Sequence, residues 1–204
     1  SVYDSVRDAV AAHGPIDASV TFVPAPQVKR AVFEAIETGI RFILVPAERV
    51  ALHDSLEMIA FARRHNAMIL GPGSLGLLSP GKAALGWLGG SEENAREIFR
   101  PGCVGVASRS GGWTSTVVWS LVQAGLGVTT AVHLGSEQVL GLSLPELLPL
   151  FERDEETRAV ALFCEIGTVA EEEAAEVIKR GGFTKPVAAF IAGRALPSGM
   201  RFSH

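Results

Sequence analysis

Short apolar runs alternate with stretches of helical periodicity along the chain, and this alternation constrains the fold more than any other feature. In the first half, apolar runs and amphipathic stretches follow one another in order, at 18–24, 28–38, 41–46, 52–65 and 67–72. Strands separated by single helices pair in parallel, since each helix carries the chain back to the same edge of the sheet. The runs are almost continuously apolar, as a sheet covered on both faces requires. We therefore predict an α/β fold with a doubly wound sheet, whose ligand-binding edge carries the loops that follow the strands.

The second half repeats the alternation and predicts a second domain. Its expected strands and helices alternate at 103–107, 113–124, 128–133, 144–151, 159–165, 170–180 and 186–191. Between residues 73 and 102 the periodicity fails and glycine is frequent, so we place the linker there. We predict a Rossmann-like domain over residues 1–90 and a flavodoxin-like domain over residues 91–204. The first domain opens with a helix over 2–13 and has only three strands, so we expect its first strand and a Gly-rich loop to precede Ser1.

Composition excludes several classes of function. The 204 residues carry a net charge of -4, with the basic residues scattered along the chain, which leaves no patch able to neutralise a run of nucleic-acid phosphates. No segment reaches the roughly 20 apolar residues needed to span a bilayer. Cys103 and Cys164 each lie in an apolar run without a second thiol nearby, so we expect reduced thiols and a cytoplasmic protein. Four histidines lack the spacing of metal ligands: His13, His53, His65 and His133. We therefore expect no metal site and assign these four to packing or to the surface.

A small, Gly-rich turn joins an expected strand to an expected helix at residues 108–112. Such a turn presents unpaired backbone N–H groups and the positive end of the helix dipole, which together hold a phosphate or a carboxylate. We therefore predict an anion site formed by Ser108, Arg109, Ser110, Gly111 and Gly112. The alternative is that these serines and glycines only cap the helix.

Two further residues are candidates for catalysis. Glu165 ends an apolar run at the expected ligand edge, where a carboxylate can orient a histidine or accept a proton. His204 follows the last expected strand and a Gly-rich turn, and imidazole can carry a phosphoryl group covalently at neutral pH. The competing interpretations are a carboxylate that caps a neighbouring helix and a solvated histidine near a chain end. Trp113, which follows the turn at 108–112, is placed to line a substrate pocket.

An ordered set of short motifs runs through the chain. They are Val23-Pro24-Ala25-Pro26, Glu-Ala-Ile-Glu-Thr-Gly-Ile at 34–40, Gly71-Pro72, Ser108-Arg109-Ser110-Gly111, Glu165-Ile166-Gly167 with Glu171-Glu172-Glu173, Lys185-Pro186-Val187, Ile191-Ala192-Gly193 and Gly199-x-Arg201-x-x-His204. With this set, the chain resembles the α subunit of succinyl-CoA synthetase and the related NDP-forming acyl-CoA ligases over essentially its whole length. The resemblance implies an N-terminal CoA-binding Rossmann domain followed by a ligase domain of flavodoxin type.

The resemblance also implies roles for individual residues. His204 occupies the position of the family's phosphorylated histidine, and the turn at 108–112 would hold the phosphohistidine and the carboxylate of the acid. The residues that match CoA-contacting positions are Val23, Pro24, Pro46, Ala47 and Glu48. In the family, the acid is activated as an acyl phosphate, CoA then displaces phosphate, and a β-type subunit supplies the ATP or GTP site with its Mg²⁺. The chain is therefore expected to be an acid–CoA ligase component that works with such a partner on a small carboxylic acid.

Two departures from the family keep alternatives open. The family carries a Tyr-Glu pair whose glutamate contacts the active histidine, whereas Ser115 and Thr116 stand at those positions here. Gly112 and Trp113 replace a small polar residue and a leucine near the acid, so the resemblance does not identify succinate as the substrate. The alternatives are a non-catalytic CoA-binding regulatory paralogue and a malate- or citrate-type CoA ligase or lyase.

Overall fold

The computed structural model describes residues 1–165, 168–193 and 197. Within these ranges the helices are α1 (Val6–His13), α2 (Ala25–Glu37), α3 (Leu52–Arg64), α4 (Glu92–Ile98), α5 (Gly111–Gln123), α6 (Leu144–Arg153) and α7 (Ala170–Lys179). The strands are β1 (Ala18–Val20), β2 (Phe42–Leu44), β3 (Met68–Leu70), β4 (Gly76–Ser79), β5 (Ala83–Gly86), β6 (Pro101–Ser108), β7 (Val128–His133), β8 (Ala159–Cys164) and β9 (Val187–Ile191). The predicted α/β fold class is confirmed. None of the described helices is both long enough and apolar enough to cross a membrane.

Local capping explains where the helices begin. The Ser5 hydroxyl accepts the backbone N–H of Asp8 at 3.1 Å, so α1 starts at Val6 and not at residue 2 as predicted. At α6, the Glu146 carboxylate reaches back to accept the backbone N–H of Ser143 at 2.9 Å. The Ser143 side chain in turn accepts the backbone N–H of Glu146. These two bonds form a capping box, which satisfies N–H groups that the first helical turn leaves unpaired.

The first sheet consists of β1, β2 and β3 in sequence order, all parallel. Its helices α2 and α3 cover one face, where Ile43 and Val45 are fully buried with apolar residues of both helices. Val20, Leu44 and Leu70 lie in register across the three strands and point to the opposite face. The carboxyl ends of the three strands therefore share one edge, as the sequence predicts.

That opposite face packs against the second half of the chain, and not against helices of the first domain. Leu44 and Leu70 are fully buried in the same cluster as Leu134 and Leu142, which follow β7. The doubly wound arrangement predicted for the first domain is therefore only partly right within the described residues. Both faces are covered, but helices cover only one of them. The two halves of the chain share a continuous hydrophobic core as a result.

The second sheet has six strands in the order β5-β4-β7-β6-β8-β9. Strands β6 to β9 are parallel to one another, with α5 packed on one face and α6 and α7 on the other. The apolar runs predicted at 103–107, 128–133, 159–165 and 186–191 form these four strands.

The segment predicted to be a linker contains the hairpin β4–β5 instead. Strand β4 pairs antiparallel with both β5 and β7, so the hairpin extends the second sheet. Periodicity missed it because each strand has only four residues and glycine stands at its end. This pairing groups residues 76–86 with the second domain, whereas the predicted boundary at residue 90 groups them with the first. The exact division into domains remains a proposal.

Truncation of Leu44 tests whether the two halves share one core. We expect Leu44→Ala to lower the free energy of unfolding by about 2–5 kcal/mol, because a cavity would open where β2 meets the second half of the chain. Urea denaturation followed by circular dichroism measures this loss. Leu56→Ala is the matched control, since Leu56 on α3 is 48% exposed and its truncation should cost less than about 0.5 kcal/mol. Equal losses in the two variants would contradict a shared core.

Candidate active site

The predicted anion-binding turn lies at the carboxyl edge of the second sheet. Ser108 ends β6, in register with His133 at the end of β7 and with Phe163 near the end of β8. The chain then turns through Arg109 and Ser110 and enters α5 at Gly111. We call residues 108–112 the anion loop.

Several hydrogen bonds occupy the Ser110 carbonyl, which lies within the anion loop. The Ser110 carbonyl accepts the Ser108 hydroxyl at 3.0 Å and the Thr114 hydroxyl at 2.7 Å. It also accepts the backbone N–H of Thr114 at 2.9 Å. Ser108 is nearly fully buried and its hydroxyl also accepts the Ser110 N–H, so it shapes the loop. The first N–H groups of α5 have no carbonyl partner within the helix and lie at the positive end of its dipole.

The two glycines of the loop have different reasons to be glycine. A Cβ atom at Gly111 would lie 2.3 Å from Cδ1 of Leu75, so any larger residue there would require the Leu75 side chain to move. A Cβ at Gly112 would meet nothing within 4 Å, which places open space beside the first turn of α5. Gly111 thus sets how the helix packs, and Gly112 keeps the approach to its N-terminus clear.

Arg109 brings a buried positive charge to this loop. Its side chain is 3% exposed, and its Nη2 donates to the Glu137 carbonyl at 3.0 Å. Its Nε and Nη1 atoms are buried without a hydrogen-bond partner among the described residues. Because a guanidinium stays protonated in proteins, these N–H groups are donors that an anion can satisfy.

Acidic groups modulate this charge. The carboxylate of Glu171, in the first turn of α7, has a buried Oε1 atom that also lacks a partner in the described part of the chain. Burial raises the pKa of Glu171, and the nearby charge of Arg109 partly opposes that rise. Burial also raises the pKa of Cys164 to about 12, with the charge of Glu171 adding to the effect. Cys164 is therefore a protonated thiol at neutral pH and no nucleophile.

The structure tests only one of the two predicted catalytic residues for position. Glu165 follows Cys164 at the carboxyl end of β8, the strand beside β6, and is partly buried. It thus lies at the same sheet edge as the anion loop. His204 lies outside the described residues, so its pairing with Glu165 stays a prediction. No group of three metal-ligating side chains occurs among the residues that the structure describes.

The residues predicted to contact CoA lie together at the carboxyl edge of the first sheet. The Thr21 N–H donates to the Leu44 carbonyl at 2.9 Å, so the loops after β1 and β2 leave the sheet side by side. Pro24 precedes α2, and its carbonyl accepts the Gln27 N–H at 2.8 Å in the first turn of that helix. The half-buried residues Val23, Pro46 and Ala47 form an apolar surface suited to the pantetheine chain of CoA, with exposed Glu48 beside them. The residues present at this edge therefore fit CoA.

The connection from β7 to α6 joins the two sheet edges, and the sequence analysis missed it. The Ser136 hydroxyl donates to Glu48 Oε1 at 3.3 Å, and the Ser136 N–H donates to the Gly73 carbonyl at 3.3 Å. The Glu137 carboxylate accepts the Arg49 N–H, while the Glu137 carbonyl accepts Arg109 Nη2. Glu137 thus touches the predicted CoA loop with its side chain and the anion loop with its backbone. Its place just after an apolar run is the same signal that pointed to Glu165.

Trp113 lines an apolar cavity beside the anion loop, as predicted for a pocket residue. Its indole is half-exposed and stacks on Phe163, with ring centroids 4.7 Å apart. Phe163 in turn stacks on Phe190 of β9 at 5.5 Å. The cavity has a volume of about 390 Å³ and runs along one side of α5, where Thr116 also lines it. Thr116 donates its hydroxyl to the Gly112 carbonyl at 3.1 Å and offers no carboxylate there.

Comparison with known proteins agrees with this two-part arrangement. The family model described as CoA binding domain matches residues 1–49, and that described as Succinyl-CoA ligase like flavodoxin domain matches residues 101–202. The solved structure of ATP citrate lyase from Methanothrix soehngenii, in complex with citrate and coenzyme A, has a TM-score of 0.91 to this chain at 27% identity. That match covers 98% of this chain and 33% of the lyase chain.

Curated relatives match the whole chain. Over 203 residues it is 42% identical to an α subunit of ADP-forming succinate–CoA ligase from Archaeoglobus fulgidus, covering 68% of that protein. Over 207 residues it is 39% identical to a subunit of ADP-forming sulfoacetate-CoA ligase from an Acholeplasma species, covering 67% of that protein. The chain thus spans about two thirds of these relatives. The fold and its two edges define an α-type module of the acid–CoA ligases. The chain belongs to the family of ADP-forming CoA ligase α subunits, typified by succinate–CoA ligase.

The buried carboxyl group of Glu171 predicts a pH effect on stability. Because its pKa in the folded chain is raised above the ordinary value of 4.5, the folded chain binds this proton more tightly than the unfolded chain does. The stability due to Glu171 is therefore full below about pH 4.5 and is lost as the pH rises through the folded-state pKa. We expect Glu171→Gln to gain stability relative to the unmodified chain as the pH rises from 4 to 7.

Chemical denaturation at a series of pH values measures this difference. Glu172→Gln is the control, since Glu172 is the exposed neighbour on the same helix turn. A stability difference for Glu171→Gln that stays constant from pH 4 to 7 would show that the carboxyl group is not held in a desolvated site.

Proposed function

We propose that this chain is the acid-activating component of an NDP-forming acid–CoA ligase. It would form an acyl-CoA from a small carboxylic acid, CoA and ATP or GTP, through a phosphohistidine at His204. The observation that carries this proposal is the buried guanidinium of Arg109 in the anion loop, whose Nε and Nη1 atoms have no hydrogen-bond partner among the described residues. Family membership supports the same reaction class, since the relatives are named as ADP-forming CoA ligases.

The anion loop would hold the charge that moves during the reaction. Its donors are the first N–H groups of α5 and the Arg109 N–H groups that have no partner among the described residues, and they suit the oxygens of a phosphoryl group or of the acid. Glu165 would accept an N–H from the imidazole of His204, leaving the other ring nitrogen as the nucleophile. In sum, the γ-phosphoryl group moves to His204 and then to the acid, and the CoA thiol displaces phosphate. The products are acyl-CoA, NDP and inorganic phosphate.

CoA would approach from the edge of the first sheet. Val23, Pro24, Pro46, Ala47 and Glu48 line that edge, and CoA supplies the thiol that attacks the activated acyl group. The connection at 134–141 contacts this edge and the anion loop, so it would hold the two half-sites at a set distance. We assign the nucleotide and its Mg²⁺ to a β-type partner subunit. This assignment is supported by relatives that are named as α subunits. The cytoplasm is the compartment we propose.

Relatives point to several acids that could be the substrate. Besides succinate and sulfoacetate, a malate–CoA ligase α subunit from Methylorubrum extorquens is 36% identical over 207 residues, and the citrate lyase structure contains citrate. All these acids carry a second acidic or polar group. Acyl-CoA formation by the complex with each acid would identify the substrate, and a complex that binds CoA but turns over none of them would favour the non-catalytic paralogue.

Phosphorylation of His204 is the central prediction of this function. The full-length protein, combined with its β-type partner, Mg²⁺ and γ-³²P-labelled ATP or GTP, should take up acid-labile, base-stable label. We expect His204→Asn to abolish this label, because no other side chain is proposed to carry the phosphoryl group. His53→Asn on α3 is the control and should label normally. Equal labelling of the His204 variant, or no label on the unmodified protein, would contradict the phosphohistidine.

A substitution at Arg109 tests the anion loop separately. We expect Arg109→Lys to raise the KM for the acid by about tenfold, which corresponds to ~1.4 kcal/mol, because an ammonium group lacks the planar fork of donors. Arg96→Lys is the control, since Arg96 lies exposed on α4 in an ion pair with Glu92. Steady-state kinetics of acyl-CoA formation measure both. An unchanged KM for the acid in Arg109→Lys would remove Arg109 from the site.

A further inference from the structure

We propose that His133 is a positioning residue for the anion loop, and that its Nε2–H bond to the Arg109 carbonyl sets the loop in its anion-binding form. Sequence analysis assigned His133 only to packing or to the surface. The identity of the bound anion rests on the proposed function, whereas the control of loop conformation does not. The inference concerns a residue outside the predicted site, directly beneath it in the fold.

His133 lies buried at the end of β7, with 3% of its surface exposed. Its Nε2 atom is 2.9 Å from the Arg109 carbonyl oxygen, and its Nδ1 atom is 2.8 Å from the backbone nitrogen of Leu75. Its Cε1 atom lies 3.4 Å from the position that a Cβ would take on Gly111. The ring is thus wedged between the hairpin and the first residue of α5.

The two backbone partners decide the tautomer. Leu75 donates its N–H, so Nδ1 must be the unprotonated acceptor, and the Arg109 carbonyl accepts, so Nε2 must carry the hydrogen. His133 is therefore a neutral imidazole with a defined donor and a defined acceptor. A side chain that only filled space would not need either.

The bond from His133 to the Arg109 carbonyl engages a second carbonyl group of the anion loop. Ser108 and Thr114 already bind the Ser110 carbonyl, and His133 binds the carbonyl one residue earlier. In a trans peptide the carbonyl and the following N–H point in opposite directions, so this bond and the bond from the Ser110 N–H to the Ser108 hydroxyl hold the Arg109–Ser110 peptide plane from both sides. With both carbonyls held, neither negative dipole is free to turn toward an incoming anion. The N–H groups that begin α5 are the dipoles left to face it.

Two conservative substitutions separate the two described hydrogen bonds of His133, to Leu75 and to Arg109. In His133→Gln, the side-chain amide nitrogen lies as many bonds from Cβ as Nε2 does, so it can still donate to the Arg109 carbonyl. In His133→Asn, the side-chain oxygen lies as far out as Nδ1, so it can still accept from Leu75 but cannot reach Arg109. Each variant keeps one hydrogen bond and loses the other. Thermal unfolding of both confirms that they are folded before they are compared.

Inorganic phosphate is the probe, and the amide of Gly111 is the reporter. Labelling with ¹³C′-serine and ¹⁵N-glycine selects the Ser-Gly pairs of this sequence, which end at Gly111 and Gly199. We expect phosphate to shift the Gly111 resonance in the unmodified chain and in His133→Gln with Kd values within about threefold. In His133→Asn the Kd should rise at least about tenfold.

Equal affinities in all three chains would overturn the proposal, and so would an equal loss in both variants, because then the bond to Arg109 has no separate role. If phosphate fails to shift Gly111 in the unmodified chain, the anion site of the proposed function fails. The role of His133 is then decided by the spectra without phosphate. The role is supported if the Gly111 amide chemical shift in His133→Asn differs from that in the unmodified chain while the shift in His133→Gln does not. Any other pattern overturns it.

Discussion

The buried guanidinium of Arg109 is the constraint on which the rest of the site depends. A permanent charge with 3% exposure is expensive unless dipoles or opposite charges surround it. The structure places the Glu137 carbonyl on one side and brings the partly buried carboxyl of Glu171 near. The Nε and Nη1 nitrogens of Arg109 still lack a partner among the described residues. A site left in this condition favours an anion, which is what acid activation through phosphoryl transfer requires.

Holding Arg109 in place explains why the connection after β7 joins both sheets. Leu134 and Leu142 at its two ends enter the core that β2 and β3 share with the second half of the chain. Between them, Ser136 and Glu137 bind the loops that follow the strands of the first sheet. The apolar ends anchor the segment and the polar middle reaches both ligand edges. A single short connection therefore contacts both sheet edges.

Much of the architecture followed from periodicity. The strand at 128–133 matched its predicted ends, and the helices after β6 and β8 began within a few residues of their expected positions. The strand-to-helix turn at 108–112 was predictable because it lies between an apolar run and a stretch of helical periodicity, whereas its binding of an anion stays a prediction. The hairpin β4–β5 was missed, since four-residue strands next to glycines carry too little pattern. Glu137 and His133 were missed because their partners lie far away in the chain, at Arg49, Leu75 and Arg109.

The α/β class, the alternation of strands and helices outside the β4–β5 hairpin, the turn at 108–112 and the position of Glu165 at a strand end were all readable from the sequence. These depend on local periodicity and on turn chemistry, which are written in neighbouring residues. Three-dimensional contacts were needed to show that the hairpin joins the second sheet, that the two halves share one core and that His133 contacts the anion loop. Those facts depend on contacts between residues tens of positions apart, where side-chain packing and hydrogen-bond satisfaction select one arrangement. The charge of Arg109 was visible in the sequence, but its burial was not.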